Sequence, residues 1–149
     1  MLAQAAATVD RISGGRVEVG LGAGWNEAEH RAHGFPSPPL SERMKMLEEQ
    51  VEIVHRFFTE ERFTFEGRFY RLEEGASLPR PVQQPHPPLI MGGTPVRRGA
   101  ALVARFADEY NTFLDAEPDI AGVRGRLAEA CERTGRDPAT LTRGEPPVG

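Results

Sequence analysis

The stretch Ser13-Gly14-Gly15-Arg16-Val17-Glu18-Val19-Gly20-Leu21-Gly22-Ala23-Gly24-Trp25-Asn26-Glu27 restricts what this chain can fold into more than any other. Val17, Val19 and Leu21 alternate with Glu18 and the glycines at period two, behind Ser-Gly-Gly turn chemistry, and this predicts a strand. Glycine weakens a strand interior unless something uses its bareness. Gly20, Gly22 and Gly24 fall at every second position, so they share one face of that strand, where a flat ligand or another backbone can approach closely. Two readings follow from these residues alone. One is the floor of a cofactor site; the other is a small-residue seam that packs tightly in a barrel or under a helix. A dinucleotide fingerprint is not supported. The spacing is Gly-x-Gly-x-Gly rather than Gly-x-Gly-x-x-Gly, and no strand ending in an acid follows about 20 residues later.

A second glycine exit lies further on. Leu89-Ile90-Met91 is apolar on both faces, as a buried parallel strand is, and runs through Gly92-Gly93 into Thr94-Pro95. Thr94 reads as a helix N-cap and Pro95 as the first helical residue, with Val96, Ala100, Val103 and Ala104 on the apolar side toward Phe106. Two glycines ahead of a helix N-terminus offer backbone donors and a positive dipole end, suited to a phosphate. A tight turn with nothing bound fits the same residues.

The rest of the chain alternates. Met1 to Asp10 is alanine-rich and helical in composition, and Leu2, Ala3, Ala5, Ala6 and Val9 suggest turns packed on something. Asn26 is placed to cap a short polar helix through His33, with acids in its first turn. His30 and His33 near Glu27 and Glu29 raise a metal site, but the spacing is not His-Glu-x-x-His and a surface helix is the simpler reading. Three prolines within positions 36–39 make an extended loop. Ser41 is the expected cap of a helix to about Phe58, with Met44, Leu47, Val51 and Val54 on its stripe and Glu52 spaced to pair with Arg56. Phe63 to Leu72 reads as a hairpin turning at Glu66-Gly67, and Pro79 to Pro88, with five prolines, as a semi-rigid connector. Ala107 to Phe113 reads as a strand. Pro118-Asp119 opens a helix carrying Ile120, Val123, Leu127 and Cys131 that ends at Gly135; Asp137-Pro138 begins a turn, and Thr142 to Gly149 approaches another strand.

Strand and helix in alternation predict a parallel α/β sheet with right-handed crossovers and exclude all-β and bundle folds. Both glycine exits fall at the C-terminal ends of their strands, where such folds build ligand sites. The 149 residues suggest one domain, 1–149. A net charge of −4 with interspersed signs gives no basic stripe, which argues against nucleic acid. No run approaches the roughly 18 apolar residues of a membrane span, and no basic-then-apolar leader is present in this sequence. The lone Cys131 excludes an intrachain disulfide and fits a reducing cytoplasm.

In order along the chain, Thr8 to Arg16 leading to Gly20-Leu21-Gly22-Ala23-Gly24-Trp25, then Glu29-His30, Glu42-Arg43 with Leu47-Glu48-Glu49, Phe65 to Tyr70, Pro87 to Gly93, Ala107 to Asn111 and Gly135 to Pro138, the sequence resembles the bacterial luciferase-like monooxygenases, and within them the coenzyme F420-dependent oxidoreductases. The resemblance covers nearly the whole chain. It implies the central portion of a (β/α)8 barrel, about strands four to six with their helices up to the threshold of strand seven, and so an incomplete barrel, because such barrels take ~250 residues. By the same resemblance the chemistry is hydride transfer between F420 and a small organic substrate, or oxygen insertion where the cofactor is FMN. Ala23, Gly24 and Asn26 are then expected at the cofactor, with Gly92, Gly93, Pro95 and Val96 along its ring-to-phosphate tail. No catalytic residue is assigned. The early-barrel histidine or tryptophan of relatives falls before Met1, and the acid that some sugar-phosphate-oxidising relatives carry after the glycine strand is Trp25 here. A barrel homodimer, a partial reading frame and a catalytically silent fragment or partner subunit are further expectations.

Overall fold

The computed structural model describes residues 2–93, 97–112 and 119–143. Helix α1 (Leu2–Ser13) leads through the Ser-Gly-Gly turn into β1 (Val19–Leu21), and the short helix α2 (Glu27–Ala32) precedes the long α3 (Leu40–Thr59). A hairpin of β2 (Phe63–Glu66) and β3 (Arg71–Gly75) follows. Then come β4 (Leu89–Gly92), α4 (Arg97–Phe106), β5 (Glu109–Asn111), α5 (Ile120–Thr134), a 3-10 turn at Pro138–Thr140 and β6 (Thr142–Arg143). The main sheet runs β1-β4-β5-β6 with every neighbouring pair parallel. The expected parallel α/β architecture is therefore present in the described residues. The expected N-cap at Thr94 and the helical start at Pro95 lie outside them, as do the end of the strand expected through Phe113 and the segment after Arg143.

Two apolar layers hold α1, α3, α4 and α5 to the sheet. Ala3, Ala6 and Ala7 of α1 pack with Ile53, Val54, Phe57 and Phe58 of α3 around Val19 and Leu89. Leu47 and Val51 of α3 join Leu102 and Val103 of α4 and Leu127 and Cys131 of α5 around Met91 and Tyr110. On α1 the packed face differs from the expected one. The small residues Ala3, Ala6 and Ala7 are buried, whereas Leu2 and Val9 stay more than half exposed, because alanines at three- and four-residue steps let the helix lie close on α3.

Three local expectations are corrected. Helix α3 starts one residue before Ser41 and has Pro39 as its N-cap with no side-chain cap bond; the Pro39 carbonyl accepts from Glu42 N and Arg43 N, so the proline-fixed approach replaces the serine. Arg56 pairs with Glu60 rather than Glu52, because the Glu60 carboxylate takes both Nε, at 2.7 Å, and Nη2, at 3.2 Å. Glu52 instead faces Arg105. The hairpin turn spans Gly67 to Tyr70, not Glu66-Gly67, since the Glu49 carboxylate sits inside it and accepts from Arg68 N, Phe69 N and Tyr70 N at 2.8–3.0 Å. A Cβ at Gly67 would collide with that carboxylate, which is why a glycine stands there.

The proline connector is tied down at several points. The Asp10 carboxylate, fully buried, accepts from Val82 N, Gln83 N and Gln83 Nε2. Burial pushes this carboxyl upward, but the bonds from Gln83 and Val82 outweigh it and hold the group below the ordinary aspartate range. The Arg80 guanidinium caps the end of α3 through Phe58 O and Glu60 O. The connector thus delivers β4 beside β1 in a fixed register, Val19 opposite Leu89.

Candidate functional site

Because Leu21 lies opposite Met91, the two glycine exits open at the same place. A cavity of about 630 Å³ occupies that point, at the C-terminal ends of β1, β4 and β5 and between α3 and α4. Gly22, Ala23 and Gly24 form one side, and Gly92 and Gly93 another. Met44, Leu47, Met91 and Val103 give it an apolar wall, and Asn111 and Thr112 a polar end where β5 finishes.

The glycines serve different purposes. Among the described residues nothing lies within 4 Å of a Cβ built on Gly20, and a Cβ on Gly22 would only reach ordinary contact with Gly92 O at 4.0 Å. Tight packing among those residues is therefore not what Gly20 and Gly22 provide; they leave a bare ledge. Gly24 departs from the expected strand face. Strand β1 ends at Leu21, Gly24 takes φ +70°, and its absent Cβ would stand 2.8 Å from His30 Nε2. His30 Nδ1 lies 3.0 Å from Pro36 O, so this ring sits between the glycine exit and the proline loop, as part of the scaffold. Among the described residues no group of three His, Cys, Asp or Glu is arranged around a common metal position.

Asn26 caps α2 as the sequence predicts, its Oδ1 accepting from Ala28 N and Glu29 N at 3.1 and 3.3 Å. That commitment turns it away from the cavity, which it does not line. Ala23, Gly24, Gly92 and Gly93 are brought together, while Pro95 and Val96 lie outside the described residues. The backbone donor expected at Gly93 is spent, because Gly93 N donates to Asn111 O at 3.3 Å. The Tyr110 hydroxyl donates to Gly93 O and so fixes this glycine, whose φ is +123°. Gly93 contributes a bare surface rather than a free N–H.

Arg43 was not among the expected site residues. It stands in the first turn of α3 and lines the cavity, with Nη1 donating to Pro38 O at 2.7 Å while its buried Nε has no partner among the described residues. A buried donor on a charged group that lacks an acceptor is rare and costs on the order of 1–3 kcal/mol. The same guanidinium is the only charged group among the described residues that line the cavity. One signal in the sequence could have found it: an arginine in the first turn of a helix opposes the helix dipole, so something else must favour it there.

Strands, crossovers and cavity together define an α/β protein of the barrel-building kind, with a glycine-floored cavity at the carboxyl ends of its parallel strands. The chain belongs to the luciferase-like monooxygenase family, whose model matches residues 1–146. It is 35% identical over 112 residues to an FMNH2-dependent dimethylsulfone monooxygenase of Pseudomonas putida, covering 75% of this chain and 31% of that protein. It is 38% identical over 109 residues to an F420-dependent glucose-6-phosphate dehydrogenase of Intrasporangium calvum, covering 72% of this chain and 30% of the relative. Among solved structures it superposes on a monooxygenase from Streptomyces bottropensis with TM-score 0.79 at 27% identity, over 95% of this chain and 44% of that one. An F420-dependent secondary alcohol dehydrogenase holding an F420-acetone adduct gives TM-score 0.78 at 24% identity, covering 95% and 42%, and supports the fold. The chain spans less than half the length of these relatives.

Proposed function

We propose that this chain is the cofactor-holding part of a flavin-type oxidoreductase, with F420 the preferred cofactor and FMN the second reading, acting on a small organic substrate. The observation that carries it is Arg43, the one charged residue among the described lining of a cavity floored by Gly22, Gly92 and Gly93. Both cofactors have a flat ring system and an anionic tail, so a bare ledge and one cation fit them. When bound, F420 supplies a site for hydride exchange, and FMN extends this to oxygen chemistry. The protein's part is placement. Arg43 holds the anionic tail, Ala23-Gly24 and Gly92-Gly93 let the ring lie against backbone, and Met44, Leu47, Met91 and Val103 keep water from the charge pair, which strengthens it. Pro95 and Val96 remain expected along the tail, and Asn26 acts through α2, holding the Gly24 exit in place.

The parallel order β1-β4-β5-β6 is that of consecutive barrel strands, and by family order we assign them to positions four to seven of a (β/α)8 barrel. Relatives that use FMNH2 favour the FMN reading, and those that use F420 the deazaflavin one, at closely similar identity. Cytoplasmic residence and a homodimer accompany this reading. The test is titration of the purified chain with F420 and with FMN, read by each cofactor's own absorbance. Saturable one-to-one uptake of either is the expected result. Uptake of neither sinks the reading and leaves a silent fragment or partner subunit.

A further inference from the structure

Trp25 is 81% exposed and still lines the cavity, and a large exposed apolar side chain is informative in a way an exposed polar one is not. Its backbone is fixed on both sides. Before it, Gly24 is held at φ +70° against His30; after it, Asn26 caps α2. A locked segment therefore carries the indole. Leu40, the first residue of α3 and 58% exposed, lines the same cavity. Among the described residues that line it, Arg43 is the only charged one. Once the cofactor's anionic tail takes that guanidinium, none of these residues can pair with a charged substrate, and an unpaired charge pressed against apolar surface is costly.

We propose that Trp25 and Leu40 form the face on which the substrate lies, and that the substrate is an uncharged, largely apolar small molecule. The inference rests on the cofactor reading above and adds the substrate class to it. An indole gives a broad, rigid surface whose ordering costs little side-chain entropy. Leu40 extends that surface along α3, and a sugar phosphate or carboxylate finds no partner on it.

Trp25 is the chain's single tryptophan, so intrinsic emission reports this position alone. Cofactor uptake is measured first, on the intact chain. The chain saturated with cofactor is then titrated with cyclohexanone and, separately, with glucose 6-phosphate. The expected result is a saturable blue shift with cyclohexanone and none with glucose 6-phosphate. By equilibrium dialysis at saturating cofactor, Trp25→Phe keeps cyclohexanone affinity within about threefold, as a second aromatic surface should. Trp25→Glu weakens it about tenfold or more, because a carboxylate must be desolvated. An equal response to both probes, or none to cyclohexanone in a chain that takes up cofactor, overturns the substrate class and leaves the cofactor reading intact. A chain that takes up neither cofactor overturns both.

Discussion

The two ends of the sheet are built on opposite principles. At the amino ends of the strands, two carboxylates are held by backbone donors. Asp108 accepts from Leu89 N at 2.8 Å, Asp10 accepts from Val82 N and Gln83 N, and the Gln83 amide bridges Asp10 to Val17 O. At the carboxyl ends the backbone is bare at Gly22 and Gly92, and a buried donor of Arg43 has no partner among the described residues. The closed end holds the register of β1 and β4. The open end carries a bare surface and one buried donor that no described residue meets.

The sharpest way to break this comparison is to open the closed end. Asp10→Ala leaves three donors without their acceptor, and the expected loss is about 3 kcal/mol or more, read as a lowered urea midpoint. A midpoint within about 0.5 kcal/mol of wild type would mean the Asp10 network does not hold the register. Arg43→Ala should do the reverse. It weakens cofactor binding roughly 10- to 100-fold, the worth of a charge-assisted bond, while the urea midpoint stays or rises because an unpaired buried donor is gone. If stability falls as far as in Asp10→Ala, Arg43 is structural and the contrast between the ends disappears.

Smaller effects sharpen it. His55, half-buried beside His86 with ring centroids 5.2 Å apart, is held below the ordinary histidine range by burial first and by the His86 charge second. The unfolded chain therefore takes up the proton first. This group's contribution is present above the unfolded value of about 6.5 and is lost as pH falls from there toward the folded value. Chemical denaturation from pH 7.5 to 5 should show that decline, and His55→Phe should flatten it. Arg98 pairs with Glu48 between α4 and α3 at the surface, and Arg98→Ala is expected to cost under about 0.5 kcal/mol in the same assay.

What the sequence disclosed divides along the same line. The glycine exits, the period-two strands and the Asn26 cap were legible because each is written within a few neighbouring residues. The partnerships that close the amino end were not. Asp10 meets Gln83 across 73 positions and Glu49 meets the hairpin turn across about 20, with no local signal marking either carboxylate. Arg56 had a glutamate four residues away on each side, and spacing alone could not choose the bidentate one. Gly24 was misplaced for a related reason. A period-two count assumes that the strand continues, and β1 stops at Leu21.

The register that joins the two glycine exits also sets an order of assembly. Val19 and Leu89 are 70 residues apart in sequence, whereas Ile90 and Glu109 are 19 apart and Glu109 and Thr142 are 33 apart. Pairings across longer loops cost more closure entropy and form more slowly. The strands β4, β5 and β6 are therefore expected to associate before β1 joins them, and the cavity exists only once it has. A ligand gripping both glycine exits acts on the last contact made and the first one broken. Its expected kinetic signature is a slower unfolding rate at an unchanged refolding rate.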